Sequence, residues 1–214
     1  PPSPEVPLPG GAFTMGSSAA EIHAATLQCP ECGAAVFQRE RPSHRVTLAP
    51  FALDRHEVTN QDFAAWLSKQ ADLGLSADGR YVQQRGVVLY DLHPEYGGVA
   101  FTQPGYTARP GMARRPVSQV SFFAAQRYCA AQGKRLPSEA EWEFAARSTT
   151  GRPFPWGADP PRCADAVFLR KPRGACLGEG FALGPAEVGS TPGDTTPEGV
   201  ADLGGNVAEW VDSP

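Results

Sequence analysis

"RPVSQVSFFAAQRYCAAQGKRLPSEAEWEFAAR", residues 115–147, holds two helix starts in tandem. Ser121 precedes "FFAAQRYCAAQ", in which Phe122, Ala125 and Cys129 share a face at helical spacing, and Gly133 is the residue type that ends a helix in the left-handed region. The spacing predicts a helix whose buried face includes Cys129. After "KRLP", Ser138 and Glu141 form an S-x-x-E capping box opening "SEAEWEFAAR", with Trp142, Ala145 and Ala146 on one side. Two short capped helices are the most legible architecture of the chain.

Upstream, "HRVTLAPFALD" (44–54) places Val46 and Leu48, then Phe51 and Leu53, on either side of Pro50, the pattern of a strand with a kink. Thr59 and Asp62 approximate a second capping box, and Phe63, Trp66 and Leu67 recur at helical spacing behind it. Residues 72–116 are punctuated by Gly and Pro and read as a long loop, with at most short hairpin strands near 80–90 and 99–102. Such a loop inside a compact domain is usually functional or insertional. The opening "PPSPEVPLPGG" reads as a proline-rich linker over residues 1–8, what is left after a processed or omitted N-terminus.

Glycine and proline number 23 and 22 among 214 residues, which predicts turns and loops in preference to long helices. The net charge of −4 comes without a Lys/Arg block, which argues against a nucleic-acid partner or an anionic membrane surface. No apolar run reaches the roughly 18 residues that a membrane span requires. Cys163 and Cys176 lie in a Gly/Pro-rich stretch with no core of its own, and a disulfide between them is expected. That bridge would favour an exported, periplasmic or extracellular protein.

Several segments then line up with one family. "PGGAFTMGS" (9–17), "HRVTLAPFALDRHEVTNQDFAAWL" (44–67), the 115–147 stretch, "FPWG" (154–157) and "GVADLGGNVAEW" (199–210) resemble the formylglycine-generating enzyme, or sulfatase-modifying factor, family. The resemblance implies one α+β domain over 9–214, irregular and loop-rich, similar to the C-type-lectin-like fold. Members oxidise a cysteine of a protein substrate with oxygen and copper held by two cysteines. Others form sulfoxides with iron, and some have no established chemistry. In the copper enzymes the metal-binding cysteines follow the "GNVxEW" motif, so the resemblance implies a domain incomplete at its C-terminus, with copper or iron only in a complete parent chain. The implied partner is a cysteine-containing protein or a small-molecule ligand, and the alternative is a binding module without catalysis.

The same resemblance implies two calcium sites. One would use the carbonyls of Asp202, Gly205 and Val207 with the Glu209 carboxylate. The other would use the side chains of Asp165 and Glu179 with the carbonyls of Ala166 and Phe181. Mixed carboxylate and carbonyl oxygens on a bent loop suit a hard cation; the plainer reading is that Asp202 and Asn206 make Asx turns while Glu209 accepts from backbone amides. Ala208 stands where the copper enzymes carry Trp, which weakens the case for the same substrate.

Other candidates read as structural. "CPEC" (29–32) resembles a zinc knuckle but lacks a second ligand pair, so a loop insertion with disulfide chemistry is preferred. Cys129 reads as a small buried helix residue. The four histidines form no ligand cluster, no G-x-S-x-G elbow is present, and Trp142 and Trp210 read as core.

Overall fold

The computed structural model describes residues 3–28, 34–168, 176 and 184–213. Strand β1 (Glu5–Leu8) pairs antiparallel with β4 (Phe51–Asp54), and β2 (Gly11–Met15) pairs antiparallel with β3 (His44–Leu48). These are two halves of one ribbon, broken at the same height on both sides. Ala49 and Pro50 interrupt one chain; Gly10 interrupts the other at φ +65°, where a Cβ would lie 2.5 Å from the Leu48 carbonyl oxygen. The kink expected at Pro50 is therefore present and divides the run in two.

The linker reading of residues 1–8 is corrected for 5–8. Val6 and Leu8 alternate with exposed neighbours and are buried, so the segment has the period of a one-sided strand despite its prolines. Pro7 occupies a position in a two-stranded pairing, where a lost ladder donor is tolerated. Between β2 and β3 run α1 (Ala19–Gln28), α2 (Ala34–Phe37) and a 3₁₀ turn at Gln38–Glu40.

Helix α3 (Asn60–Leu67) starts at Thr59, whose side chain accepts from the Asp62 amide. Asn60 is buried, and its Nδ2 donates to the carbonyls of Met112, Arg115 and Pro116 at 3.0, 3.0 and 3.2 Å. Phe63 then meets Trp66, Tyr90 and Tyr128 at ring distances of 5.1–5.9 Å.

The long-loop reading of 72–116 is corrected in part: the short strands expected near 80–90 and 99–102 are present, but as parts of a larger set that builds core. This region forms a three-stranded sheet of β5 (Leu73–Leu75), β6 (Tyr81–Gln84) and β7 (Val87–Asp91), followed by the hairpin β8 (Val99–Thr102) and β9 (Gly105–Ala108). Val82, Leu89, Tyr90 and Val99 are fully buried, so these strands build core. A register shift at Val82/Gln83 interrupts the alternation along β6.

Helix α4 (Phe122–Ala131) is capped by Ser121, and Gly133 follows it at φ +73° as expected. Its buried face is Ala124 and Tyr128, however, with Phe122, Ala125 and Cys129 only half-buried at its edge. Helix α5 (Glu139–Arg147) opens with the complete capping box of Ser138 and Glu141.

Two apolar clusters result. One is built from residues between Phe63 and Tyr128. The other gathers Val6, Leu8 and Phe13 with Phe144–Ala146 and with Val200 and Leu203, uniting distant parts of the chain. The expected disulfide joins Cys163 to Cys176 with Cα atoms 5.3 Å apart, a closure worth about 3 kcal/mol in the chain-entropy model. Among the described residues no helix is long and apolar enough to cross a membrane.

Candidate functional site

The chain from Asp194 to Trp210 is a looped segment in which polar groups do most of the folding. The Asp194 carboxylate accepts from the Gly204 amide with both oxygens, at 2.9 and 3.0 Å, and its carbonyl accepts from the Asp202 amide. Asp202 sits at φ +64° and its Oδ2 accepts from the Gly189 amide at 2.6 Å. Asn206 sits at φ +65°. Asp and Asn are the side-chain-bearing residues that enter this region most readily. Gly205 is required for a different reason: a Cβ there would lie 2.5 Å from the Val167 carbonyl oxygen. The Asx-turn reading is corrected: the Asp202 and Asn206 side-chain oxygens accept from the distant amides of Gly189 and Ala186, so they tie segments together and make no local turn.

Asn206 ties three segments together. Its amide donates to Val167 O, its Oδ1 accepts from the Ala186 amide, and its Nδ2 donates to Glu57 Oε2 at 2.7 Å. Glu57 Oε1 also accepts from the Val207 amide at 3.3 Å. Farther along, Trp142 Nε1 donates to Glu209 Oε2 at 3.2 Å, and Trp210 Nε1 donates to the Val120 carbonyl at 2.9 Å. The core reading of Trp210 is corrected: half its surface is exposed, with one edge against Phe122.

Beside the loop lies a cavity of about 450 Å³ between the two apolar clusters, whose walls include Phe51, Leu53, Cys129, Glu141, Glu57 and Glu209. The Glu209 side chain is exposed along this cavity, and its carboxyl lies in the cleft beside the Trp142 indole. Loss of bulk water pushes it up to about 7, against the indole donor. Burial, with the nearby charges of Asp202 and Glu209, pushes Glu57 up to about 9. Burial raises Asp194 to about 6 and moves Asp202 upward as well. His56, beside Glu57, is shifted downward by burial, and its buried Nδ1 has no hydrogen-bond partner among the described residues. The loop therefore holds carboxyl groups whose negative charge has too little compensation.

The residues of the first implied calcium site fit a hard cation. Among the described residues no donor reaches the Gly205 or Val207 carbonyl, whereas the Asp202 carbonyl has one long contact from the Gly205 amide at 3.5 Å. Glu209 adds a poorly compensated carboxylate. Three acidic, His or Cys side chains do not converge on a single point among the described residues, so such a site would lean on carbonyls. The second implied site is less well supplied. Both oxygens of Asp165 are taken by the Arg162 guanidinium at 2.8 and 2.9 Å, which holds the carboxyl below its ordinary value. Ala166 is buried beside it, while Glu179 and Phe181 lie outside the described residues.

Among the described residues no pair of thiols fits thiolate-bound copper. Cys163 and Cys176 are consumed by their disulfide, and burial pushes the half-buried Cys129 thiol up, away from the thiolate. Cys29 and Cys32 lie outside the described residues.

Residues 2–214 match the sulfatase-modifying factor enzyme 1-like domain. The chain belongs to that family. A mouse (Mus musculus) relative, inactive C-alpha-formylglycine-generating enzyme 2, is 33% identical over 97% of this chain and 68% of its own length. The formylglycine-generating enzyme of Mycobacterium tuberculosis is 30% identical over 96% of the chain and 72% of its own. Among solved structures, PvdO from Pseudomonas aeruginosa superposes with a TM-score of 0.61 at 27% identity, covering 97% of this chain and 69% of that one. Family members with and without a generating activity thus share this sulfatase-modifying factor scaffold.

The sequence reading did not single out Glu57 or Asp194, and it weighed His56 only as one of four scattered histidines. The only local signal for Glu57 is an acidic residue two places before the Thr59 cap; its partners lie 149 and 150 residues away.

Proposed function

We propose that this sulfatase-modifying factor domain belongs to an exported oxidoreductase that uses oxygen to oxidise a cysteine-bearing protein or a related sulfur compound, with calcium holding the Asp202–Glu209 loop. The likeness to the mycobacterial formylglycine-generating enzyme across nearly the whole chain supports the chemistry. The single structural observation behind the calcium reading is the Gly205 and Val207 carbonyls, which receive no donor among the described residues, on the same short loop as the Glu209 carboxyl, itself raised to about 7.

Calcium would supply the positive charge that this loop lacks, keeping Glu209 ionised. The chain's own residues do the rest. Asp194 and Gly189 fix the two ends of the turn at Asp202, Gly205 lets the backbone press against Val167, and Trp142 orients Glu209 by its indole N–H.

A second reading, a ligand- or protein-binding module without catalysis, is favoured by Ala208 in the motif and by the mouse relative described as inactive. Two measurements separate these readings. Calcium titration should raise the thermal midpoint, and Glu209→Gln should remove most of that rise; a midpoint indifferent to calcium and to EDTA overturns the calcium reading. Incubation of this chain with Cu(I), oxygen and a Cys-x-Pro-x-Arg peptide should give no aldehyde, because its described thiols offer no pair. Aldehyde formed after addition of a downstream cysteine pair supports the oxidase; continued silence supports the binding module.

A further inference from the structure

The part of the Asp202–Glu209 loop that matters for a cation is the direction of its carbonyls, and the peptide between Asn206 and Val207 sits between the two uncommitted ones. Its N–H points at Glu57 Oε1. In a planar trans peptide the Asn206 carbonyl then points the opposite way, so fixing that N–H fixes the peptide that joins the two residues on either side; the Gly205 carbonyl shares its own plane with the Asn206 amide, which donates to Val167 O at 2.8 Å. The second oxygen of Glu57 holds the Asn206 side chain at 2.7 Å. One carboxylate thus grips a side chain and the following backbone amide, preventing rotation of the segment as a unit.

Glu57 is itself rigidly mounted. Arg55 O accepts from the Ala201 amide, Val58 O accepts from the Val117 amide, and Thr59 pairs with Pro116 and caps α3. A stiff strand-to-helix connection on one side of the cavity therefore carries the clamp for a loop on the other. Asn206, in its left-handed conformation, offers little else at its Nδ2 than a 3.5 Å contact to the Ala186 carbonyl.

We infer that Glu57 is the positioning residue of the Asp202–Glu209 loop, holding the Asn206 side chain and the Asn206–Val207 peptide so that the residues bearing the Gly205 and Val207 carbonyls keep their place for a bound cation. The inference rests on the calcium reading of that loop for its purpose, and on the hydrogen bonds alone for its existence. Glu57 is outside the implied ligand set.

Three variants test it. Glu57→Asp keeps the carboxyl but shortens the reach by one methylene, Glu57→Gln keeps the reach but sets an amide in place of the carboxyl, and Asn206→Ala cuts the same bridge from the other end. Calcium affinity, measured by titration calorimetry on folded protein, should fall roughly 10–100-fold in Glu57→Asp and in Asn206→Ala, as for other groups that orient metal ligands. The double variant should be no weaker than the weaker single, because both cut one bridge. Unchanged affinity in Glu57→Asp and Asn206→Ala, or additive losses in the double, overturns the inference. An effect confined to Glu57→Gln that fades in high salt assigns Glu57 a charge role only and also overturns it. Amide hydrogen exchange at residues 206–209, read in EDTA, keeps the two readings apart. Faster exchange in Glu57→Asp establishes the clamp even when the parent chain binds no calcium, and unchanged exchange removes the clamp even when it does.

Discussion

Glu141 at the start of α5 and Glu209 at the end of the looped segment line the same cavity, and burial acts upward on both carboxyls. They end far apart. Arg135 grips Glu141 with two N–H groups at 2.7 and 2.6 Å, the Ser138 amide adds a third donor, and the carboxyl is held down at about 2. Glu209 receives one indole N–H and stands at about 7, while Glu57, with two amide donors and two acidic neighbours, stands at about 9. Burial is common to all three; what differs is the compensating charge. A carboxylate with its own guanidinium finishes a helix start, whereas one without a cation leaves the fold responsive to protons and added ions.

The largest expected effect follows from the raised group. Carboxyls at about 6, 7 and 9 in the fold and at ordinary values in the unfolded chain bind more protons when folded. Their stabilisation is complete below the ordinary carboxylate range and is lost as pH rises through 6, 7 and 9. In EDTA, denaturant unfolding between pH 5 and 9 should show stability falling by up to about 1.4 kcal/mol per pH unit for each proton involved. Saturating calcium should flatten this slope. A flat profile in EDTA would put Glu209 in the same class as Glu141.

The lowered group gives the opposite arm. Glu141 contributes above its ordinary value and loses that contribution as pH falls from about 4.5 towards 2. Since Arg135 is largely exposed, Glu141→Gln should cost about 1.5 kcal/mol at pH 7 and leave the alkaline slope intact. Calorimetry of the variant at pH 4 and pH 7 checks both statements. The smallest effect belongs to Ser138→Ala, which removes the neutral half of the capping box for about 1 kcal/mol. Its cost should be indifferent to calcium, and a calcium-dependent loss would show that α5 and the loop are coupled through the Trp142–Glu209 contact.

Legibility in the sequence followed the reach of each interaction. Thr59, Ser121 and Ser138 were readable as caps because a cap and its amide lie three residues apart. The Pro50 kink and the Cys163–Cys176 bridge were readable for similar local reasons. Strands β6, β7 and β8 fall where short hairpin strands were expected, whereas β5 and β9 were hidden among turn residues and β1 by its prolines. The face of α4 was misread because Phe122 and Phe123 are both aromatic; Tyr128 and Ala124, packed under Phe63 and β7, decide which side turns inward. In the loop, Asp202, Gly205, Val207 and Glu209 came from resemblance. Glu57 and Asp194 required the fold itself to bring them in.

The two apolar clusters impose an order on biosynthesis. Everything in the Phe63–Tyr128 cluster has been translated once Cys129 is made, so that unit can condense while the rest of the chain is still on the ribosome. The second cluster must wait about 70 residues longer for Val200 and Leu203, a delay of about 4–15 s at translation rates of roughly 5–20 residues per second. Through that interval Val6, Leu8 and Phe13, translated well before Val200, lack part of their cover. This is the window in which a holdase would recognise the nascent ribbon of β1 and β2.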